Sequence, residues 1–262
     1  MTQEQKREFG YLSGEERESQ WIQMRRGQNV AGYSVGILHL DNVWYPLLPG
    51  NVANACTYDF PVRLKAVPGL DTPRLHGGDP EIFQALLAAA RELEKEGVRA
   101  ISAACGFFGH FHSQLADAID VPVALSSLVQ IPWIRSVLKR EQKIGVLTAN
   151  ASAITEELLK SCGVEDPELL VIRDLRHEEQ FSAIMEDRGA FDNAQVRREV
   201  VAAAEELVNS QPKLGAILLE CSDTPPYAYA VQRATGLPVF DFITMIKWLH
   251  SSVNQTPYCG WI

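Results

Sequence analysis

The sequence predicts an α/β fold of two similar parallel-sheet half-domains related by a pseudo-twofold, with the active site in the cleft between them. The first observation behind this is an internal repeat. At a fixed offset of 116 residues, Ala100-Ile101, Cys105, Ala118 and Pro122-Val123 recur as Ala216-Ile217, Cys221, Ala234 and Pro238-Val239, six identities in 24 gap-free positions. The second is the alternation of short apolar runs with helical patterns, the signature of parallel strands joined by crossover helices. The third is that a cysteine ends the equivalent strand in each copy, where ligands bind in open α/β sheets.

The elements follow in order. Residues 33–40 (YSVGILHL) read as the first strand, and 41–62, heavy in Pro, Asn and Gly, as a long loop and a candidate active-site wall. Asp79-Pro80 opens a helix with Ile82, Leu86, Leu87 and Leu93 on its apolar face, ended by Gly97. A strand at 98–104 runs into Cys105, a helix covers 110–119, and 121–125 is the next strand. The pattern restarts at Ile144-Gly145-Val146-Leu147, which echoes Val35-Gly36-Ile37-Leu38. A helix at 152–162 ends at Gly163. It is followed by a strand near 169–172, a helix at 196–208, the strand 214–220, a strand at 237–241 and a last helix at 242–253. The repeat assigns 27–126 plus 235–262 to the first half-domain and 127–234 to the second, with 1–26 as a polar N-terminal extension.

Composition narrows the function. The chain has 262 residues, 46% hydrophobic and 22% charged, enough for a proper core. A net charge of -9 argues against nucleic acid or an anionic membrane as partner. Residues 1–26 carry no apolar stretch of the signal-peptide kind, and no run reaches the ~18 residues of a membrane span. The five cysteines (Cys56, Cys105, Cys162, Cys221, Cys259) form no CxxC, so free thiols and a cytoplasmic location are expected.

Cys105 and Cys221 are the candidate catalytic residues. Two thiols on opposite sides of a small molecule can take a proton from one face and return it to the other. Each needs help to ionise, because a free thiol titrates near ~8.5. After Cys221, the order Thr224-Pro225-Pro226 predicts an N-cap and first-turn prolines that aim a helix N-terminus at the sulfur. After Cys105, the Gly106-Phe107 loop offers backbone N–H groups to a carboxylate. Ser222 completes this set. Asp223 either orients the thiol or caps its loop; Ser127 and Thr148, at strand ends, either bind a carboxylate or cap helices. His110 and His112 raise a Cys-x4-His-x-His metal site, but the Cys221 side has no matching histidine, so no metal is expected. Nucleotide-binding and serine-hydrolase motifs are absent, and no lysine in the two cysteine motifs invites a pyridoxal Schiff base. The expected reaction is therefore cofactor-independent.

The segments AILLECSDTPPYAYAVQRATGLPVFDFIT (216–244), CGFFGHF (105–111) and VALSSLVQIP (123–132) resemble the Asp/Glu/hydantoin racemase superfamily. The loop PLLPGNVANACTYDFPV (46–62) resembles its bacterial aspartate/glutamate racemase-like branch. The resemblance implies that Cys105 and Cys221 act as paired acid and base at a carbon next to a carboxylate. It also implies that polar residues after each bind that carboxylate. Gly106-Phe107 stands where glutamate racemases have Asn-Thr, and their N-terminal Asp-Ser motif is replaced around His39-Leu40-Asp41; Phe107 and Phe108 imply a more apolar pocket. The same 216–244 segment is similar to algal dimethylsulfoniopropionate lyases, which also remove a proton next to a carboxylate and then expel a β leaving group. Arylmalonate decarboxylases keep only the second-half cysteine, so Cys105 speaks against that activity. The leading expectation is a two-cysteine racemase or epimerase of an amino acid or related small acid. A lyase of the dimethylsulfoniopropionate type is the alternative, and a non-catalytic small-acid binding protein ranks third. A small carboxylate is the expected partner, and a homo-oligomer the expected assembly.

Overall fold

A computed structural model describes residues 26–262. The expectations for the N-terminal extension fall almost wholly on residues 1–25, outside the described residues.

Eight strands form two four-stranded parallel sheets. The first contains β1 (Val35–Leu40), β2 (Val62–Val67), β3 (Ala100–Ala103) and β4 (Val123–Ala124), in the order β2-β1-β3-β4. The second contains β5 (Lys143–Thr148), β6 (Leu170–Asp174), β7 (Leu214–Leu219) and β8 (Val239–Phe240), in the order β6-β5-β7-β8. The repeat extends to register: Ile101 pairs with Val123, and Ile217, 116 residues on, pairs with Val239. Strands β3 and β7 are buried along their whole length, as expected of central parallel strands covered on both faces.

Two expectations are corrected. Strand β2 lies where the sequence reading ran its long loop up to residue 62 and assigned nothing beyond. It is an edge strand, largely half-buried, and its Arg63 and Lys65 pair with Glu96 and Glu92, so it lacks the apolar run that marks a central strand. The strand expected at 237–241 to return to the first half instead pairs with β7 in the second sheet. Only the helix after it crosses over.

Helix α1 covers Thr72–His76, α2 Ile82–Lys95, α3 His112–Ala118 and α4 Ile131–Val137; α5 covers Glu156–Ser161, α6 Ser182–Met185, α7 Asn193–Ser210, α8 Ala228–Thr235 and α9 Phe242–Val253. Helix α2 presents Ile82, Leu86, Leu87 and Leu93 to the core and stops at Gly97, whose φ of 91° suits glycine. Helix α9, started by an Asp241–Thr244 capping box, packs Phe242, Met245, Ile246 and Leu249 with Val35, Ile37 and Ala100 of the first sheet. Ile131 and Ile134 of α4 join a core cluster that draws on both sheets, with Leu38 and Ile101 of the first and Ile144, Val146, Ala216 and Leu218 of the second. This shared cluster and the return of α9 tie the two sheets together as walls of one cleft.

The 41–61 loop closes that cleft. Val52 N–H donates to the Ser222 carbonyl at 3.3 Å. Gly50, at φ 102°, lies so close to Pro226 that a Cβ would stand 2.8 Å from its Cα. Among the described residues no helix is long and apolar enough to cross a membrane.

Candidate active site

Strands β3 and β7 each stop two residues before a repeated cysteine, and both thiols line one cleft. Its walls also include Tyr45, His76, Gly106, Phe107, Glu220, Ser222 and Asp223. The free space beside the thiols is small, about 30 Å³. A neighbouring chamber of about 240 Å³ shares Leu40, Tyr45, Ala104 and Ser222 with it. Tyr45 thus stands in the wall between the two.

Around Cys221 the chemistry is organised by Asp223. The Cys221 thiol points at Asp223 Oδ2 over 3.5 Å; the carboxylate also accepts from Ser222 Oγ at 3.4 Å, Tyr45 hydroxyl at 3.5 Å and the Asn51 amide. Burial pushes the Asp223 carboxyl up to about 6, against the pull of these four donors. Burial, then the charges of Asp223 and Glu220, push the Cys221 thiol well up. Thr224 corrects the expected cap: its hydroxyl donates to the Cys221 carbonyl at 2.7 Å, and the chain enters a short 3-10 turn, Pro225–Tyr227, before α8. The helix that follows Cys221 is therefore separated from the sulfur by this turn.

Around Cys105 the surroundings differ. The extended Cys105 leads into a 3-10 helix, Gly106–Phe111, where a regular helix was expected from 110, and α3 begins only at His112. His76, the last residue of α1, brings Nε2 to 4.0 Å from the sulfur, packs against Phe107 with ring centres 4.0 Å apart and the planes tilted by 48°, and faces the Asn150 amide through Nδ1 at 3.1 Å. Burial, then Arg176 and His110, hold its pKa down at about 4, so the ring is neutral at physiological pH. Burial and the Glu220 carboxylate raise the Cys105 thiol.

Glu220 is the feature that sequence reasoning passed over. It is fully buried, Thr148 Oγ1 donates to its Oε2 at 2.7 Å, and its Oε1 has no partner among the described residues. Burial lifts its carboxyl to about 7. This corrects two assignments: Thr148 and Ser127 do not line the cleft. They hold Glu220 instead, Ser127 Oγ donating to its carbonyl at 3.3 Å. The signal was present, since a glutamate ending the wholly apolar run Leu214–Leu219 has nowhere to go but inside. His110 and His112 sit in the 3-10 helix and at the start of α3 and line no part of the cleft; among the described residues no three His, Cys, Asp or Glu side chains converge to hold a metal.

Comparison with known proteins places this geometry. The family model of Asp/Glu/Hydantoin racemase matches residues 85–249, a span that contains both cysteines. The chain belongs to the Asp/Glu/hydantoin racemase family. Among curated relatives, a dimethylsulfoniopropionate lyase of Durusdinium sp. clade D is 32% identical over 252 residues, covering 92% of this chain and 83% of the relative. Dimethylsulfoniopropionate lyase 3 of Emiliania huxleyi is 32% identical over 238 residues, and the match covers 87% of this chain but 61% of that protein. Two solved members share the fold at low identity. Allantoin racemase from Pseudomonas fluorescens aligns with TM-score 0.57 at 15% identity, covering 87% of this chain and 98% of that one. Unliganded arylmalonate decarboxylase aligns with TM-score 0.56 at 16% identity, covering 86% and 94%. This racemase-family fold, with its two half-domains, is the one the internal repeat predicts.

The two raised carboxyls carry a pH signature. Between their ordinary values and about 6 and 7, the folded state binds protons that the unfolded chain has released. Their contribution is therefore favourable in acid and lost as pH rises through that window, on the order of 3 kcal/mol for each. Activity should run the opposite way, rising with pH through about 6 as Asp223 becomes a carboxylate able to accept the Cys221 proton. Asp223→Asn is expected to erase that limb of the kcat/KM profile while raising the melting temperature at pH 8. An unchanged acid limb would show that another group titrates there.

Proposed function

We propose that this protein is a cofactor-independent lyase that removes a proton next to a carboxylate and expels a β-sulfonium group, with Cys221 as the base. The observation that carries it is the charge of the cleft: two buried carboxyls, Glu220 and Asp223, and no lysine or arginine among its lining residues. A dicarboxylate would meet no side-chain cation there. A substrate with a cationic head supplies the missing positive charge and lowers the cost of the Cys221 thiolate. The 32% identity to dimethylsulfoniopropionate lyases favours a sulfonium as that head.

In this reaction the Cys221 thiol gives its proton to Asp223, and the thiolate takes a proton from the α-carbon. The C–H electron pair becomes the new C=C bond. The β C–S bond breaks with its pair going to sulfur, so a neutral dialkyl sulfide and an α,β-unsaturated carboxylate are released. Backbone N–H groups at Gly106-Phe107 and the Ser222 hydroxyl stabilise charge on the substrate carboxylate. The larger neighbouring chamber receives substrate once Tyr45 swings aside.

Racemisation of a small amino acid remains the second reading, favoured by the two thiols at equivalent repeat positions. The two readings separate in deuterium oxide. Dimethylsulfoniopropionate is expected to yield dimethyl sulfide and acrylate in equal amounts, read by NMR. Absence of sulfide, together with α-deuterium in inverted product from an amino-acid panel, would overturn the lyase in favour of the racemase.

A further inference from the structure

The two copies of the repeat are unequal in charge. At the 116-residue offset, Ala104-Cys105-Gly106-Phe107 corresponds to Glu220-Cys221-Ser222-Asp223. Both acids of the cleft therefore come from the second copy, but they serve the two thiols differently. Cys221 has a proton acceptor in Asp223, 3.5 Å away. Cys105 has none: with the Asn150 amide donating to His76 Nδ1, the ring proton sits on Nε2, which offers the sulfur a donor and not an acceptor. Glu220 meanwhile lies against the residue that follows Cys105. A Cβ on Gly106 would fall 1.5 Å from Glu220 Oε1, the oxygen with no partner.

We infer that Glu220 holds Cys105 as a thiol and so makes the site one-sided, a positioning role that commits the α-carbanion to elimination. The inference rests on the lyase reading. After Cys221 has taken the α-proton, the carbanion has two fates. It can expel the β leaving group, or it can take the Cys105 proton from the opposite face, which restores substrate and leaves a Cys105 thiolate. The second fate places that thiolate beside the fully buried Glu220 carboxylate, where like charges repel strongly. Other groups act on Cys105 as well. His76 Nε2–H and the Phe107 N–H favour its thiolate, and Asp223 opposes it. Cys221 and Tyr45 share the cleft, Arg176 and His110 act on His76, and Cys162 feels the same Glu220 charge. Burial and Glu220 are the largest influences on Cys105, and both oppose the anion. A racemase needs either thiol to serve as base; Glu220 opposes both thiolates, but only Cys221 has a carboxylate placed to accept its proton.

The test is Glu220→Gln, which keeps an acceptor for Thr148 and nearly the same shape. Thr148→Val serves as a second variant, because it removes the donor that favours the carboxylate and so shifts Glu220 toward its neutral form. Cys105 is partly exposed, so its alkylation by iodoacetamide at pH 8 can be followed by peptide mass spectrometry in the full chain. Both variants are expected to speed Cys105 labelling at least fivefold. In deuterium oxide, both should raise α-deuterium in recovered dimethylsulfoniopropionate relative to sulfide released at least tenfold. Unchanged or slower Cys105 labelling overturns the inference whatever the substrate, and so does faster labelling with an unchanged exchange-to-elimination ratio. If labelling speeds up while neither wild type nor variants release sulfide, the lyase reading fails and the commitment to elimination falls with it, leaving only the electrostatic control of Cys105.

Discussion

Replacing Cys221 with serine is expected to lower kcat for sulfide release by at least about 10³-fold, with the fold and KM nearly intact. A serine hydroxyl is far less acidic than a thiol, and a carboxyl of pKa about 6 is too weak a base to ionise it. Cys105→Ser is the informative partner. Under one-base elimination the Cys105 side chain is a wall and a dipole, so this variant should keep at least about a tenth of wild-type kcat. Equal, near-complete loss in both variants would mean that both sulfurs move protons, and the racemase reading would then be preferred. Steady-state kinetics on the two variants, with circular dichroism to confirm folding, settles the matter.

Much of this site was legible in the sequence because a repeat converts weak local signals into a paired one. Either cysteine alone is an ordinary small buried residue. Two at one offset, each ending a central strand, mark a cleft, and the register pairs Ile101–Val123 and Ile217–Val239 follow the same offset. The two repeated cysteines and Gly106, Phe107, Ser222 and Asp223 were placed by that logic, and all line the cleft. What was missed depends on long-range packing. His76 reaches Cys105 from 29 residues away on a one-turn helix capped by Asp71, and no local pattern reports such an approach. Tyr45 and Asn51 sit in a loop whose course is set by docking against Ser222 and Pro226. Thr148 and Ser127 were assigned to substrate for a related reason. A hydroxyl at a strand end faces either the ligand or a buried neighbour, and the neighbour here is Glu220. The C-terminal strand was misplaced because the return of α9 to the first sheet invites moving the preceding strand with it, whereas Pro238-Val239 follows the repeat and stays in the second sheet.

Exchanging the residues beside the two cysteines should show how tightly Glu220 and Gly106 depend on each other. Gly106 does not have the positive φ that favours glycine, so the demand for glycine there is steric alone. A Cβ would stand 1.5 Å from Glu220 Oε1, 2.4 Å from its carboxyl carbon and 2.8 Å from its carbonyl oxygen. The second copy carries the mirror arrangement: Ser222, with a Cβ, where the first copy has Gly106, and Ala104 where the second has Glu220. Gly106→Ser alone must therefore displace a fully buried carboxyl from its bond to Thr148. It is expected to cost about 3 kcal/mol or more of stability, at the upper end for overpacking a core. Glu220→Ala alone leaves a void but also removes a buried acid whose carboxyl is lifted to about 7; at pH 8 the two effects offset, and a change within about 1 kcal/mol is expected. The double variant reproduces the Ser–Ala pair of the other half and should recover more than half of the Gly106→Ser loss, a coupling of about 1.5 kcal/mol or more in a double-mutant cycle by urea unfolding. The remaining deficit reflects the Glu220 carbonyl, which substitution does not remove. Additive losses would mean that Gly106 answers to some other neighbour, and the account of Glu220 as packed against the Cys105 turn would be wrong.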